Sequence, residues 1–535
     1  MKITAAEALV KCLEAEGISK IFGYPGAAIC PFYDKLTQSK IEHILVRHEA
    51  NAGHAASGYA RITGRPAVCV ATSGPGATNL ITAIATAYMD SIPMVIITGQ
   101  VSTEQIGRDV FQEADITGAT EPFVKHSYLL KKAELLPEIV KKAFYIAGSG
   151  RPGPVLLDIP YDVQLREIDF NYQKSIEIET YKPRKEGNKL QIKRVAETIR
   201  ETKKPLICAG GGLFTANARA ELLAVAEKSK IPVICTMMGI SAIPSQHQLF
   251  IGMIGMHGKQ AANKALSECD LLILLGARVG DRAVTALKER DSLKVIHIDI
   301  DPAEIGKNLH VNVPVVGDLK AVLTQLLEII EPVNCEGWLK SCRGAQCASD
   351  QLVNPDTPAA FIEELNKLLP QNCVISADVG QNQIWTANNI KLNGGRFITS
   401  GGMGTMGYSV PAAIGAKSAN PETEVIAICG DGSFQMQSME LATAIQHNIN
   451  IKIIIMVNNR LGMVRELQKN LYENRLTAVF LDGSPDFIKL ADAYGIKGEY
   501  VDDISQAKSA LENLLKSDKP YILQVKVSED ERTIL

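Results

Sequence analysis

The sequence has no long hydrophobic run, and this absence bears first on membranes. No apolar stretch approaches the roughly 20 residues that a membrane-spanning helix requires. The first residues, KITAAEALVKCLEAEG, include acidic side chains and lack a continuous apolar core, so they predict an amphipathic helix rather than a signal peptide. We therefore expect a cytoplasmic protein that does not contact a membrane.

An excess of basic residues is also absent. The 56 Lys and Arg residues and the 59 Asp and Glu residues give a net charge of −3, and the basic residues are dispersed without interleaved aromatic side chains. Nucleic acids and anionic membranes attract proteins through a concentrated positive field. The composition therefore gives no reason to expect either partner.

The eleven cysteines include no Cys-x-x-Cys pair. Cys335, Cys342 and Cys347 cluster, but no histidine lies at the spacing of a zinc site. Reduced thiols are thus favoured over a disulfide framework or a cysteine-ligated metal. Three cysteines that lie in apolar runs, and are predicted to be core residues, are Cys69, Cys208 and Cys429.

The 535 residues are enough for three or four domains at roughly 150 residues each. Short apolar runs alternate with helical patterns, as they do in α/β domains built on parallel sheets. We predict three doubly wound parallel-sheet domains, at residues 1–170, 190–330 and 359–535. The charged stretch 171–189 and the stretch 331–358 are predicted to be linkers.

Short apolar runs that end in polar or glycine-rich tips predict the buried strands of these sheets. They are Ile44–Val46, Ala67–Ala71, Met94–Thr98 and Val155–Ile159 in the first block, Leu206–Ala209, Val233–Cys235, Leu271–Leu275 and Val295–Ile300 in the second, and Val425–Cys429 and Ile451–Val457 in the third. Between the last two runs, the pattern predicts one helix to about His447. Its apolar face would consist of Met436, Met439, Leu441 and Ile445.

Polar side chains follow both strands of the third block. Asp431 comes directly after the first strand, within Gly430-Asp431-Gly432, and Asn458 follows the second strand. Both tips of a parallel strand–helix–strand unit lie at the carboxyl edge of the sheet, where ligands bind. A carboxylate and an amide oxygen suit Mg²⁺, which shares its coordination sphere with phosphate oxygens, and glycines let backbone N–H groups approach an anion. The pairing predicts a magnesium–diphosphate site, although Gly-Asp-Gly alone is a common loop tripeptide.

A second acid, Glu49, follows the strand that ends near Val46, in the stretch RHEANAGH. An acid at the end of a buried strand is a candidate proton-transfer group. Taken alone, such an acid is more often a surface or helix-capping group. Its combination with a magnesium–diphosphate site favours the catalytic interpretation.

The order of motifs resembles that of the acetolactate synthase large-subunit family, within the thiamine diphosphate-dependent enzymes. Gly-Asp-Gly followed by Asn458 is similar to the thiamine diphosphate motif, and FQEAD, IGMHG and SGGMGTMG are more characteristic of the synthase branch. The resemblance runs over almost the whole chain. It implies that two thiamine diphosphate-binding domains flank a central FAD-type domain.

The resemblance also implies a reaction. The chain would decarboxylate pyruvate and condense the hydroxyethyl unit with a second 2-keto acid, pyruvate or 2-ketobutyrate, in branched-chain amino acid biosynthesis. Thiamine diphosphate and Mg²⁺ would be its cofactors, together with FAD that does not turn over in the main reaction. At least a homodimer is implied, with the Glu49 domain of one subunit facing the Asp431 domain of its partner; a tetramer or a separate small regulatory subunit is compatible with this.

Site residues follow by position in the motifs. Glu49 would hydrogen-bond the cofactor pyrimidine and activate it, and Gln112 would act near it, although Gln112 could instead be a helix-start residue. Asp431, Asn458 and the main-chain carbonyl of Arg460 would bind Mg²⁺. The other thiamine diphosphate contacts would be Gly26, Asn79, Gly380, Gln381, Asn382, Gly404, Met406, Gly430, Gly432, Ser433, Gly462 and Met463. The residues near the substrate would be Ala27, Phe111 and Leu467.

The central block matches the FAD region of the family. Glycine tips and arginines suit a dinucleotide diphosphate, but tight turns after strands also need glycine. The family's arginine loop usually reads RFDDR and here reads RVGDR. The matching residues are Arg151, Gly210, Gly211, Gly212, Met256, His257, Gly258, Gly276, Arg278, Arg282, Asp299 and Asp318.

Two further departures bear on the substrate pocket. After GMV, many biosynthetic members have Gln-Trp-Gln, where this chain has Glu466-Leu467-Gln468. That tryptophan is associated with a preference for 2-ketobutyrate, so Leu467 predicts a roomier acceptor pocket. Tyr161 stands where the family would place a lysine on the access channel.

Two other functions are compatible with these motifs. The first is another thiamine diphosphate-dependent 2-keto acid decarboxylase or a pyruvate oxidase, and the second is a homologue that has lost catalysis. Glu49, Asp431 and Asn458 argue against the second, because a non-catalytic copy has no need of the activating acid.

Overall fold

Three six-stranded sheets, each entirely parallel, form the framework of the chain. The computed structural model describes residues 2–278, 280, 292–350 and 357–533, without the side chains of 346–350. Each sheet belongs to one α/β domain. The predicted class, three doubly wound parallel-sheet domains, is confirmed.

The strands of the three domains follow in chain order. The N-terminal domain contains β2 (Lys20–Gly23), β3 (Glu42–Leu45), β4 (Ala67–Ala71), β5 (Met94–Gln100), β6 (His126–Leu129) and β7 (Pro154–Pro160), besides an antiparallel pair of β1 (Lys2–Thr4) and β8 (Glu167–Asp169). The central domain contains β9 (Pro205–Ala209), β10 (Val233–Cys235), β11 (Phe250–Met253), β12 (Leu271–Leu275), β13 (Lys294–Asp299) and β14 (Val313–Val316). The C-terminal domain contains β15 (Val374–Ala377), β16 (Arg396–Ile398), β17 (Val425–Gly430), β18 (Lys452–Val457), β19 (Lys497–Val501) and β20 (Tyr521–Lys526).

The two terminal domains share one sheet topology. Their orders are β3-β2-β4-β5-β7-β6 and β16-β15-β17-β18-β20-β19, so the second strand of each lies outside the first and the third lies on its other side. The central sheet, β11-β10-β9-β12-β13-β14, has the order of dinucleotide-binding folds. Ligands bind such sheets outside the carboxyl ends of the strands, where the order reverses. The reversals lie between β2 and β4, between β9 and β12, and between β15 and β17.

Helices pack on both faces of the sheets, so successive residues of the inner strands enter different hydrophobic clusters; Cys69 and Val70 of β4 are one such pair. The N-terminal domain has the helices Ala5–Ala15, Cys30–Leu36, Glu49–Thr63, Pro75–Asn79, Ile81–Met89, Ile116–Thr120, Leu136–Gly148 and Tyr161–Leu165. The central region has Lys189–Arg200, Gly212–Thr215, Arg219–Ser229, Gln260–Glu268, Leu319–Ile329 and Glu336–Asp350. The C-terminal domain has Pro358–Leu368, Gln381–Asn389, Ser409–Ala419, Asp431–Gln435, Leu441–Gln446, Gly462–Leu471, Phe487–Ala493 and Ala507–Lys516. Over the described ranges, none of these helices combines the length and apolarity needed to cross a membrane.

The predicted single helix after β17 is wrong. Two short helices, Asp431–Gln435 and Leu441–Gln446, flank a 3-10 turn at Ser438–Glu440. Met436 and Ile445 are exposed, whereas Leu441 is buried. The break occurs at Gln437, whose buried side chain donates a hydrogen bond from Nε2 to Asp378 Oδ2 at 2.8 Å and takes the backbone out of the helical region. A hydrophobic period cannot reveal a contact with a residue so distant in sequence.

The predicted linker 331–358 is also partly wrong. It contains the helix Glu336–Asp350, and Trp338 and Cys342 on this helix are buried against the central domain. Trp338 Nε1 donates to the carbonyl oxygen of Pro205 at 3.0 Å. Cys335, immediately before this helix, and Cys342 on it are both buried, so the described side chains of the cysteine cluster pack against the central domain. The predicted core positions of Cys69, Cys208 and Cys429 are confirmed.

Two glycines join the terminal domains where the helices Glu49–Thr63 and Ser409–Ala419 cross. A Cβ on Gly58 would lie 1.9 Å from the carbonyl oxygen of Ala412, and a Cβ on Gly415 would lie 1.8 Å from that of Ala55. The two backbones touch because neither position carries a side chain. Buried residues of both domains form one continuous cluster around this crossing.

Gly58→Ala is expected to lower the apparent melting temperature, because the added methyl group must push two backbones apart. Overpacking typically costs about 1–3 kcal/mol, and a backbone obstacle cannot rotate away as a side chain can. Gly344→Ala is the matched control, since its added Cβ meets nothing within 4 Å in the helix Glu336–Asp350 and alanine favours a helix. Thermal unfolding followed by circular dichroism measures the melting temperatures of both variants. Equal melting temperatures for Gly58→Ala and the parent would contradict a close contact between the two helix backbones.

Candidate active site

Three strand ends of the C-terminal domain meet at Asp431. Its Oδ2 accepts hydrogen bonds from the backbone N–H groups of Asn458 at 3.2 Å and Asn459 at 2.6 Å. Asn458 Nδ2 in turn donates to Gln381 Oε1 at 3.1 Å. Asp431 follows β17, Asn458 follows β18, and Gln381 begins the helix after β15. The sequence prediction that Asp431 and Asn458 lie side by side is confirmed.

Glycines allow the chain to close tightly around this group. A Cβ on Gly462 would lie 1.9 Å from Gln381 Oε1, so a larger residue at the start of the helix Gly462–Leu471 would displace the Gln381 side chain. Gly380 has φ +139°, a conformation that other residues rarely adopt, immediately before the helix Gln381–Asn389. The other predicted contacts also lie here: Gly430 beside Asn382, Ser433 bonded to Gly430, Gly432 beside Met406, and Met463 in the first turn of the helix Gly462–Leu471.

Asp431 is 2 % exposed, and burial raises its pKa to about 6, opposed by hydrogen bonds from the N–H groups of Asn459, Gly432 and Asn458. Asn458 Oδ1 and the carbonyl oxygen of Arg460 are neutral oxygen donors on the same loop. Among the described residues, no three His, Cys, Asp or Glu side chains gather into a metal cage. The donors at Asp431 therefore suit a hard cation that takes one carboxylate, a few neutral oxygens and the phosphate oxygens of a ligand.

Glu49 begins the helix Glu49–Thr63, after the N-cap residue His48, whose Nδ1 accepts from the N–H of Ala50 at 3.2 Å. Asn79 Nδ2 donates to Glu49 Oε2 at 2.9 Å. A Cβ on Gly76 would lie 3.5 Å from Glu49 Oε1. The carboxylate is therefore held beside the short helix Pro75–Asn79 that follows β4, at the reversal of the N-terminal sheet.

Three predicted cofactor, substrate and catalytic residues, Gly26, Ala27 and Gln112, lie at the same reversal. A Cβ on Gly26 would lie 2.5 Å from Thr72 Cγ2, and Ala27 follows in the turn beside it. Gln112 packs its backbone against Gly74 and has φ +60°. The alternative that Gln112 starts a helix is wrong, because the next helix is Ile116–Thr120, capped by Asp115. Phe111 is 86 % exposed.

A cavity of about 290 Å³ lies between the terminal domains. The N-terminal domain contributes His48, Asn51 and Asn79 to its wall, and the C-terminal domain contributes Met406 and Met436. Asn79 binds Glu49, and Met406 lies beside Gly432, so the cavity adjoins both groups of predicted cofactor residues.

The segment 400–407, SGGMGTMG, contacts all three domains. The N–H groups of Gly401 and Gly402 donate to the two carboxylate oxygens of Asp90 at 3.0 and 2.7 Å. A Cβ on Gly401 would lie 2.2 Å from Met238 Sδ, and one on Gly402 would lie 3.0 Å from Arg278 Nη2.

At its C-terminal end, the N–H of Gly407 donates to Asp378 Oδ1 at 3.0 Å. Gly404, with φ +68°, and Met406 are thus presented on a segment fixed at both ends.

The glycine-rich turns of the central domain meet at its sheet reversal. A Cβ on Gly210 would lie 2.2 Å from the carbonyl oxygen of Gly276, and one on Gly212 would lie 2.8 Å from Gly276 Cα. Gly211 follows in the same turn, beside Met238. Asp299, at the end of β13, is buried, and burial raises its pKa to about 6. This is the place where a doubly wound fold binds a dinucleotide.

The other predicted FAD residues are more dispersed. Arg151 Nη1 forms ion pairs with Asp301 at 3.2 Å and Glu304 at 2.8 Å, which attach the N-terminal domain to the central one. Asp318 caps the helix Leu319–Ile329. In the turn Met256–Gly258, Met256 is exposed and the His257 carbonyl oxygen accepts from Asn388 Nδ2 at 2.6 Å. Arg282 lies outside the described residues.

Sequence reasoning missed two acids of the site. Asp378, fully buried after β15, accepts hydrogen bonds from the N–H groups of Gly407 and Ser409 and from Gln437. Glu466 is 9 % exposed and accepts from Gln381 Nε2 at 3.0 Å and from Thr533 Oγ1. Asp378 could have been found as a polar residue at a strand end. By contrast, Leu467, one residue after Glu466, is 47 % exposed.

Comparison with known proteins bears on all three domains. Residues 3–119 match the model described as "Thiamine pyrophosphate enzyme, N-terminal TPP binding domain", 192–326 the central domain, and 378–525 the C-terminal TPP binding domain. The "Probable acetolactate synthase large subunit" of Methanocaldococcus jannaschii is 46 % identical over 98 % of this chain and 92 % of its own. The "Acetolactate synthase isozyme 2 large subunit" of Escherichia coli is 43 % identical over 99 % and 96 %.

The chain belongs to the acetolactate synthase large-subunit family. Its two terminal domains are the thiamine pyrophosphate-binding domains of this family, and they share a strand order that the central domain lacks.

Proposed function

We propose that the chain is a thiamine diphosphate- and Mg²⁺-dependent acetolactate synthase. It decarboxylates pyruvate and joins the two-carbon unit to a second 2-keto acid, pyruvate or 2-ketobutyrate. The observation that carries the proposal is the placement of the acid Glu49 and of the Asp431–Asn458 pair at the sheet reversals of the two cofactor-binding domains. Membership of the family supports the same reaction.

In this proposal, each group of residues has a distinct task. Asp431, Asn458 and the carbonyl of Arg460 would bind Mg²⁺, and the glycines at 380 and 430 would let the backbone come close to the diphosphate. Glu49 holds a proton at a carboxylate oxygen and shares it with the cofactor pyrimidine. When bound, thiamine diphosphate supplies the electron sink for decarboxylation. Met406, which lies beside Gly432, would support the bound cofactor.

A product assay tests the proposal directly. Purified protein is incubated with pyruvate, thiamine diphosphate and Mg²⁺, and the products are identified by mass spectrometry. Acetolactate is expected, with 2-aceto-2-hydroxybutyrate when 2-ketobutyrate is added. Acetaldehyde, acetate or acetyl phosphate as the main product would assign the chain to a decarboxylase or oxidase instead.

We also propose that the central domain binds FAD at Gly210–Gly212, Gly276 and Arg278. The strand order of this domain and the glycine turns at its reversal fit a dinucleotide, and an arginine can pair with the diphosphate.

Arg278→Ala is expected to reduce the amount of flavin that stays bound through gel filtration, as measured by absorbance. Arg343→Ala, which removes an exposed arginine bonded to the Gln248 carbonyl, is the control. Equal flavin in parent and Arg278→Ala, or none in the parent, would contradict the proposal.

The proposal includes a second copy of this chain and a separate small subunit. Phe111 and Leu467 are exposed on different domains of one chain, which supports a homodimer in which the Glu49 domain of one copy faces the Asp431 domain of the other. The relatives from M. jannaschii and E. coli are named as large subunits, which supports a separate smaller regulatory subunit. Light scattering after gel filtration measures the mass of the assembly; a monomer that makes acetolactate would contradict the dimeric site.

Leu467→Trp is expected to shift acceptor preference toward 2-ketobutyrate. A larger side chain would contact the additional methylene group of this acceptor, and one methylene contributes about 1–3 kcal/mol, or about 10- to 200-fold in preference. The measurement is the product ratio in a mixture of pyruvate and 2-ketobutyrate. Leu471→Trp adds the same indole one turn further along the helix, at a side chain that is 68 % exposed. Equal shifts in both variants would contradict a specific role for position 467.

A further inference from the structure

The segment 45–51, which carries Glu49, is held by the C-terminal domain of the same chain. The N–H of Leu45 donates to His447 Nε2 at 2.9 Å, and Arg47 Nη2 donates to Gln446 Oε1 at 2.6 Å. The two acceptors lie at the end of the helix Leu441–Gln446. The motifs of the N-terminal domain do not predict these contacts, because the acceptor residues lie in a different domain.

Glu440 is the centre of the attachment. Its side chain is completely buried, and its Oε1 accepts from the N–H of Arg47 at 2.9 Å and from Asn51 Nδ2 at 2.8 Å. These two donors lie two residues before and two residues after Glu49. The second oxygen, Oε2, accepts from Thr443 Oγ1 at 2.6 Å. One buried carboxylate therefore holds the backbone before Glu49 and the first helical turn after it.

A buried carboxylate is costly unless hydrogen bonds compensate for its lost hydration. Here three donors satisfy it, and two of them belong to the segment that bears the proposed catalytic acid. The guanidinium of Arg47 contacts Gln446 and the Leu45 carbonyl, so Arg47 binds Glu440 through its main chain. The arrangement fixes backbone geometry rather than pairing two surface charges.

We propose that Glu440 is a positioning residue that sets the direction of the Glu49 carboxylate by holding the chain on both sides of it. The inference rests on the function proposed above and adds a residue of the C-terminal domain to the control of an N-terminal acid. Proton transfer depends steeply on placement, since an error of about 1 Å can cost about 100-fold in rate.

Three variants separate positioning from general packing. Glu440→Ala removes both acceptors of the segment. Glu440→Gln keeps an oxygen for Arg47 and Asn51, and Thr443 Oγ1 can turn its hydrogen to the Leu45 carbonyl, 3.1 Å away. Ser57→Ala is the matched control, because Ser57 lies on the same helix as Glu49 and contacts Tyr408 of the same C-terminal domain at 3.0 Å.

The measurement is the exchange of the thiazolium C2 proton with deuterium in protein loaded with thiamine diphosphate and Mg²⁺, without substrate. We expect Glu440→Ala to slow the exchange at least about 10-fold, with Glu440→Gln and Ser57→Ala within about 3-fold of the parent. Backbone amide exchange in the protein without cofactor should show faster exchange across 45–51 in Glu440→Ala alone. An effect of Glu440→Ala no larger than that of Ser57→Ala would overturn the proposal, as would equal slowing by Glu440→Gln.

If Glu440→Ala does not fold, Asn51→Ala removes one of the two bonds from the N-terminal side and is expected to slow the exchange by a smaller factor; an unchanged rate in that variant would overturn the proposal.

Glu49→Gln distinguishes the proposed catalytic role of Glu49 from the proposed positioning role of Glu440. Slow exchange in Glu49→Gln with normal exchange in the Glu440 variants would refute only the positioning. Normal exchange in Glu49→Gln would refute the role of Glu49, and the positioning with it.

Discussion

Replacing Glu49 by glutamine is expected to lower kcat for acetolactate formation by about 100- to 10,000-fold, the contribution typical of a general acid–base group. Glutamine has the same shape, and its Oε1 can still accept from Asn79 Nδ2, which donates to the Glu49 carboxylate at 2.9 Å. What it loses is the ability to hold and release a proton. Steady-state kinetics with pyruvate, at saturating cofactors, measures the effect.

Glu42→Gln is the matched control for this variant. Glu42 is a surface acid on β3 of the same domain, where it pairs with Lys20. The substitution removes one negative charge from the same region without touching the sheet reversal, so kcat should remain within about two-fold of the parent, as is usual for surface charges. Full activity of Glu49→Gln would refute the mechanism, provided that its melting temperature matches that of the parent.

Asp431→Asn is expected to weaken Mg²⁺ affinity at least 100-fold, and thiamine diphosphate binding with it. Even outer-shell changes at metal sites cost about 10- to 100-fold in affinity, and here a direct carboxylate ligand is lost. Asparagine keeps one oxygen that can accept from the N–H groups of Asn458 and Asn459 and loses the single hydrogen bond from the N–H of Gly432, so the loop should retain its fold. Isothermal titration of thiamine diphosphate at several Mg²⁺ concentrations measures the loss.

The control for this variant is Asp482→Asn. Asp482 lies close to the same loop, but its carboxylate is exposed and pairs with the guanidinium of Arg460, not with the carbonyl that the proposal uses. Its Mg²⁺ dependence should equal that of the parent. If Asp431→Asn binds thiamine diphosphate with the parent's Mg²⁺ dependence, the metal site lies elsewhere.

Several inner strands of the sheets could be predicted from the sequence because they are buried on both faces, whereas the inner strands β2, β15 and β20 have no counterpart among the predicted runs. β4, β10 and β12 coincide with their predicted apolar runs, and β5 extends two residues further, through Gly99 and Gln100. β6 was not predicted, because it forms an edge of its sheet and none of its residues is fully buried. A run of apolar residues reveals burial on both faces, and β6 lacks such a run.

The adjacency of Asp431 and Asn458 could be predicted because each lies at the end of a strand and neighbouring parallel strands end at one edge. Glu440 could not, because its bond to Arg47 spans 393 positions and joins two domains. Nor could the ion pairs of Arg151 with Asp301 and Glu304, which depend on how the domains are arranged. Sequence patterns within one domain predict where strands end. Contacts between domains depend in addition on the shapes of the domain surfaces, which no local sequence pattern describes.

The segment 400–407 limits how this chain can be recombined with its relatives. Its glycines bind Asp90 of the N-terminal domain and pack against Met238 and Arg278 of the central one. A chimera that exchanges only the C-terminal domain would therefore have to bring matching residues at all three positions, or the segment carrying Met406 would lose its supports. Successful domain exchange in this family should follow compatibility at these few contacts more closely than overall identity.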